Sequence, residues 1–217
     1  MSFATDSFSG SAGQELSAYS GVWSKQTGYS QNATVGNDGQ YAIHSGTSDY
    51  AVYQHSASPA SADYSVFASI FRKAGTPGAS GPQMGPCGRM QSGAATFYAV
   101  IYEHNNTRFS LFRFNSGAAT LLGSRWTHTL TTTPETVELR LSGNDISVYI
   151  DGTLRIGPVT DGSPITTAGK AGVILFDMRL TGVNDTGGLD NFDAVDAGGG
   201  GGGGSVVPIF TQHRHRR

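Results

Sequence analysis

The chain has 217 residues, of which only 14% are charged, and a formal net charge of −2; it is long enough to bury one large core without dividing. Its single cysteine, Cys87, excludes an intramolecular disulfide, and no stretch is apolar and long enough to span a membrane. Three of its basic side chains, Arg214, Arg216 and Arg217, lie at the C-terminus, so residues 1–197 carry −5 and the tail +3. That argues against nucleic acid as a partner of the body and leaves the tail suited to weak, salt-sensitive contact with an acidic face.

Serine, threonine and glycine abound and strong helix formers are scarce, which predicts an all-β protein with many tight turns. The first thirty residues show neither a basic start nor an apolar run, so the chain reads as made in the cytoplasm and not exported by the general secretory route. Strands are expected near 40–44, 49–55 and 64–72. Residues 74–93 (AGTPGASGPQMGPCGRMQSG), dense in glycine and proline and carrying Cys87, read as a twenty-residue loop, a length uncommon unless the loop contacts something. Residues 97–114 read as a hairpin, two apolar strands joined at His104, Asn105, Asn106 and Thr107. Val137, Leu139 and Leu141 then alternate with polar residues, as do Ile146, Val148 and Ile150, which gives strands with one buried face. Asp151 and Gly152 supply the positive φ of a tight turn into residues 153–156. Lys170–Leu180 predicts a central strand and residues 189–195 the last strand of the domain. No helix of three turns, heptad or internal repeat is visible.

Seven glycines, Gly198–Gly204, follow. With no side chains to bury they form a spacer, so the chain divides into a domain at 1–197, a polyglycine linker at 198–204 and a C-terminal attachment peptide at 205–217. The peptide is apolar and β-prone from Val206 to Phe210, then basic from His213 to Arg217. GGGGS also occurs in engineered linkers, but VVPIFTQHRHRR resembles no common tag.

The opening DSFSG (Asp6–Gly10), Trp23, VELRLSGNDISVYIDG (137–152), TTAGKAGVILF (166–176) and LDNFDAV (189–195) together resemble the concanavalin A-like lectin and glucanase superfamily in its laminin-G-like form. The resemblance covers residues 3–196 and is most specific from Val137 to Val195. It implies an antiparallel two-sheet jelly-roll sandwich with six or seven strands per sheet and adjacent first and last strands, here with an extended C-terminal tail. It implies fold more firmly than function, since this scaffold hosts lectins, glycosidases, adhesion modules and virion proteins.

Retaining glycosidases of the family carry an E-x-D-x-x-E strand whose carboxylates sit about 5 Å apart. That motif is absent here: Glu135 and Glu138 fall on opposite faces of a strand, Glu103 stands by a turn, and each reads as a solvated charge. His44, His55, His104 and His128 have no motif around them, and no serine triad, cysteine cluster, phosphate loop or dinucleotide fingerprint occurs. No catalytic residue or cofactor is therefore assigned. His213 and His215, interleaved with arginines, read as a basic tip rather than a chelate. Calcium is what the family resemblance allows; by position alone its candidates are Asp6, Asp190 and Asp193, whose bland reading is bonding to local backbone amides. A glycan platform would draw on Trp23, Tyr50, Tyr53 or Trp126, against the bland reading that these aromatics pack the core. Sequons at Asn32, Asn105 and Asn184 matter only with secretion.

The leading expectation is a non-enzymatic virion surface protein of a tailed bacteriophage, a capsid decoration, head-fibre or tail-appendage subunit. It would be anchored to other virion subunits through residues 205–217, part of an oligomer or larger assembly, and able to contact cell-surface glycans. The alternative is a carbohydrate-binding module or adhesin of a bacterial surface or secreted protein; a glycan-active hydrolase is third.

Overall fold

In a computed structural model, residues 1–44, 46, 49–73, 81–176 and 186–197 are described; the glycine linker and the C-terminal peptide lie outside them. In chain order come β1 (Ser2–Asp6), a single helical turn α1 (Leu16–Tyr19), β2 (Trp23–Lys25), β3 (Ala33–Val35), β4 (Ala42–His44), β5 (Ala51–His55) and β6 (Tyr64–Arg72). Then follow β7 (Gln83–Met90), β8 (Phe97–Glu103), β9 (Arg108–Asn115), β10 (Ala118–Thr127), β11 (Glu135–Ser142), β12 (Asp145–Ile150), β13 (Thr153–Thr160), β14 (Lys170–Phe176) and β15 (Gly187–Asp196).

The strands form two antiparallel sheets, a jelly-roll sandwich. One runs β13-β12-β11-β6-β15-β4-β3, with β1 also paired to β15, and the other runs β10-β9-β8-β7-β14-β5-β2. Period-two alternation drives the packing. Val137, Leu139 and Leu141 face inward, as do Ile146, Val148 and Ile150, meeting Val100, Leu111, Val173 and Leu175 of the opposite sheet in the main core. Each such fully buried side chain contributes about 1.5–3 kcal/mol. At the turn between β12 and β13, Asp151 and Gly152 take φ of 48° and 74°, the left-handed pair the sequence predicts.

A second apolar cluster lies on the other face of the seven-stranded sheet: Val52, Cys87, Phe97, Ala99, Ile101 and Ile174, with Tyr29, Tyr50 and Phe112 packed against it. This corrects the reading of residues 74–93 as one loop. Residues 74–80 lie outside the described residues, but Gln83–Met90 is β7, an interior strand with Cys87 fully buried. The glycines that suggested a loop are what the strand requires: a Cβ on Gly85 would lie 1.9 Å from the Val100 carbonyl oxygen. Pro86 lacks an N–H and sits at the gap where β7–β8 pairing skips from Met84↔Tyr102 to Cys87↔Ala99. β14 is described to Phe176, so the remainder of the expected strand, 177–180, lies outside the described residues. The edge strand β10 is an addition, its pairing with β9 interrupted between Leu122 and Trp126.

One edge of β15 changes partner along its length. Leu189 pairs with Ala42 of β4, whereas Phe192–Val195 pair with β1. Between them the register against β6 shifts from Asp190 to Asp193, and Asn191 takes φ of 48°. First and last strands thus meet at an irregularity, a common place for a binding feature.

Candidate ligand-binding cleft

Most of the polar candidates are already committed to structure. Glu103 is held by Arg108 at 2.7 Å and by Asn106 and Ser110. Burial opposes its ionisation, but those hydrogen bonds outweigh it and hold the carboxyl below its usual range. Glu138 is buried, with the Ser65 hydroxyl donating at 2.8 Å and Arg140 Nε at 2.7 Å. Glu135 accepts from His128 Nε2 at 2.8 Å. These carboxylates are paired, not freely solvated as the sequence suggests.

The aromatic candidates also divide. Trp23 and Tyr53 are buried core residues, and Tyr50 donates to Gln83 Oε1 at 2.6 Å beside the second cluster. Trp126 is half-buried, stacked on His128 at 4.5 Å with the Arg155 guanidinium 4.6 Å from its centroid. No open platform emerges from the four. His44 is buried, His104 sits in the turn after β8, and His213 and His215 lie outside the described residues.

The structure does bring together Asp6, Asp193 and His55. They line a cleft of about 600 Å³ with Thr5, Ser7, Tyr19, Ser20 and Asn191, Phe192 and Val22 supplying apolar surface. β1 contributes Thr5 and Asp6, the end of α1 Tyr19, β5 His55, and the irregular stretch of β15 Asn191 to Asp193. Asp6 organises the wall, accepting from the Phe8 amide at 2.6 Å, the Tyr19 hydroxyl at 2.9 Å and Trp23 Nε1 at 2.6 Å. Trp23 therefore serves the cleft from behind. It lies edge-on to Phe192 at 4.9 Å and to His55 at 5.2 Å.

Titration states follow from burial. Tyr19 is pushed up to about 12 by burial and by its bond to Asp6, so it stays a donor. Burial lowers the pKa of His55, Asp6 opposing and Lys170 adding to the effect. The Ala57 amide donates to His55 Nδ1 at 3.1 Å, which leaves the neutral ring's proton on Nε2. Beside the cleft, Asp190 is pushed up to about 6 by burial; the Asn191 amide opposes this, and Asp6 and Asp38 add to it. Burial also raises Asp193, against the Ser2 side chain and the Ala194 amide. Asp193 is 7% exposed, and its Oδ1 is buried with no hydrogen-bond partner. A buried polar atom without a partner costs about 1–3 kcal/mol.

Calcium does not fit these residues. Asp6 already accepts from three donors, and among the described residues no His, Cys, Asp or Glu group is arranged to hold a metal ion. What the cleft offers is an unmet acceptor, hydroxyls, an amide, an imidazole N–H and an apolar wall.

No family model and no curated protein sequence matches the chain. Solved structures do. The carbohydrate-binding module CBM66 from Bacillus subtilis superposes with a TM-score of 0.60 at 18% identity, covering 81% of this chain and 96% of the module. A Bacillus subtilis protein of unknown function with a galectin-like fold gives 0.60 at 12%, covering 90% and 96%. The chain has the galectin-like jelly-roll fold. The exoplasmic/lumenal domain of VIP36, in its Ca²⁺- and Man₃GlcNAc-bound form, gives 0.57 at 11%, covering 85% and 87%. The Crh5 transglycosylase gives 0.55 at 12%, covering 89% and 84%.

Proposed function

We propose that this domain is a non-enzymatic carbohydrate-binding module and that a sugar residue docks in the cleft between β1, α1 and β15. The observation that carries the reading is the buried, unpartnered Oδ1 of Asp193 in the wall of an open polar cleft. Tyr19, Trp23 and the Phe8 amide all serve Asp6, and the Ser2 side chain and Ala194 amide that bond Asp193 leave its Oδ1 unmet. A ligand rich in hydroxyl groups supplies what is lacking. The cleft's volume of about 600 Å³ lies within the range of about 300–1,000 Å³ usual for small-molecule sites. In this reading sugar hydroxyls donate to Asp193, His55 Nε2–H and Asn191 bond the ring substituents, and an apolar sugar face rests on Phe192 and Val22.

Known proteins of the same fold favour this over a virion role, since CBM66 is by name a carbohydrate-binding module and VIP36 was solved with an oligosaccharide. The feature that motivates the virion reading, the glycine-spaced peptide 205–217, lies outside the described residues. A transglycosylase shares the fold, but Glu103, Glu135 and Glu138 are each held by a basic partner, which disfavours a catalytic role.

A glycan array followed by calorimetry on its best neutral ligand tests the proposal. Removing one charge-assisted contact predicts that Asp193→Ala weakens binding by about tenfold or more, with a melting temperature equal to or above that of the native protein. Unchanged affinity in Asp193→Ala, or no glycan bound by the native domain, overturns it.

A further inference from the structure

We propose that the outer face of the eight-stranded sheet is the docking surface for the chain's own C-terminal peptide, residues 205–217. The proposal is independent of sugar binding in the cleft, and its failure would leave that reading intact. Alternation sends the neighbours of the core residues outward, and the register aligns six of them in one row across the sheet. Thr5 lies opposite Asp193, Asp193 opposite Phe67, Phe67 opposite Glu138, Glu138 opposite Tyr149, and Tyr149 opposite Leu154. Outside their own sheet the strands of this row pack on β7 and β10, both in the seven-stranded sheet on the inner side.

The outer row is both apolar and acidic. Phe67, though buried, joins neither apolar cluster. Leu154 is 41% exposed, the one large apolar side chain besides Met1 that is exposed among the described residues. Tyr149 is half-buried, with the Arg140 guanidinium 4.0 Å from its ring centroid. Glu138, Asp145 and Asp193 face the same way. Arg140 answers Glu138 at 2.7 Å; the N-terminal ammonium acts on Asp193, but neither Asp145 nor Asp193 is in an ion pair among the described residues.

The peptide complements both properties. Val206–Phe210 is apolar, and His213–Arg217 brings three positive charges to a body at −5; arginine stems cover apolar surface while their heads meet carboxylates. Pro208 in mid-segment removes a backbone donor, which suits the segment to lying over a face rather than lengthening a sheet edge. The tether is also of the right length. β15 ends at Asp196, opposite Tyr64 at the start of β6, and the eight residues 198–205 span about 15 Å as a flexible coil. Tyr149 lies three strands from β15, about 14 Å at the usual strand spacing. A tether matched to its span gives an effective concentration on the order of millimolar, enough to populate a weak, charge-assisted contact.

The test places a nitroxide spin label on the full chain at Thr211→Cys; Cys87 is buried and stays unlabelled. The amide resonances of Ser147, Tyr149 and Leu154 are expected to broaden at low salt and to recover at high salt. Arg214→Glu, Arg216→Glu and Arg217→Glu together abolish the broadening, as does Leu154→Asp at an exposed position; if Leu154→Asp folds poorly, the triple tail variant decides. Broadening spread evenly over the protein, confined to another face, or unchanged in the triple variant overturns the proposal. So does broadening of equal strength when spin-labelled chain is mixed with isotope-labelled chain that carries no nitroxide, since that assigns the peptide to a second copy.

Discussion

Trp23 Nε1 donates to Asp6 Oδ2 at 2.6 Å, which ties β2 in one sheet to β1 in the other at the floor of the cleft. Tyr19 and the Phe8 amide complete the coordination of the same carboxylate. The cleft is therefore anchored to the core.

Asp6→Ala strands the Trp23 and Tyr19 donors, one of them fully interior. The expected cost is about 2–4 kcal/mol of unfolding free energy, read by urea denaturation, with a shift in tryptophan emission in the native state. An unchanged midpoint would show that the two donors find water instead.

The fold's tolerance for a methyl group differs sharply between glycines. Gly85→Ala forces a Cβ against the Val100 carbonyl oxygen, whereas Gly162 has nothing within 4 Å of a Cβ. Gly85→Ala is expected to lose about 3 kcal/mol or to misfold, and Gly162→Ala to stay within about 0.5 kcal/mol of the native protein. Thermal denaturation of the pair measures the difference.

Much of the architecture is legible in the sequence because alternation reports a one-sided strand directly, as in Val137–Leu141 and Ile146–Ile150. β7 is not legible, because Gly85, Pro86 and Gly88 are there to let strands approach and to break a pairing, and the same residues mark loops. Nor is β10 obvious, its apolar Leu122 and Trp126 being separated by an interruption in pairing. At the cleft, Asp6 and Asp193 are legible by position, since first and last strands meet. His55, Tyr19 and Asn191 are not, because no motif signals a residue that joins a site only through β15 changing partner. Trp23 attracts notice as a sugar platform yet acts as a buried donor.

Cys87 is buried, and burial raises its thiol well above the usual range. Native protein is expected to resist alkylation by iodoacetamide at pH 8, with full labelling after unfolding in guanidinium. Rapid labelling under native conditions would mean that the second cluster opens.

Asp190 gives a pH signature. Its folded pKa, about 6, lies above the unfolded value near 3.9, so the native state binds the extra proton. The resulting penalty is absent below about pH 4, grows as pH rises and is complete above about pH 6, reaching at most about 3 kcal/mol. Asp190→Asn removes it. The variant should unfold at a higher temperature than the native protein at pH 7.5, with the gap closing by pH 4; a gap independent of pH would refute the assignment.

The most direct test of carbohydrate binding in the cleft is an amide and side-chain NMR titration with the best neutral glycan from an array. Shifts concentrated at Thr5, Ser20, His55, Asn191 and Asp193, abolished in Asp193→Ala, are predicted. Shifts confined to other surfaces, or the same pattern in Asp193→Ala, would contradict it.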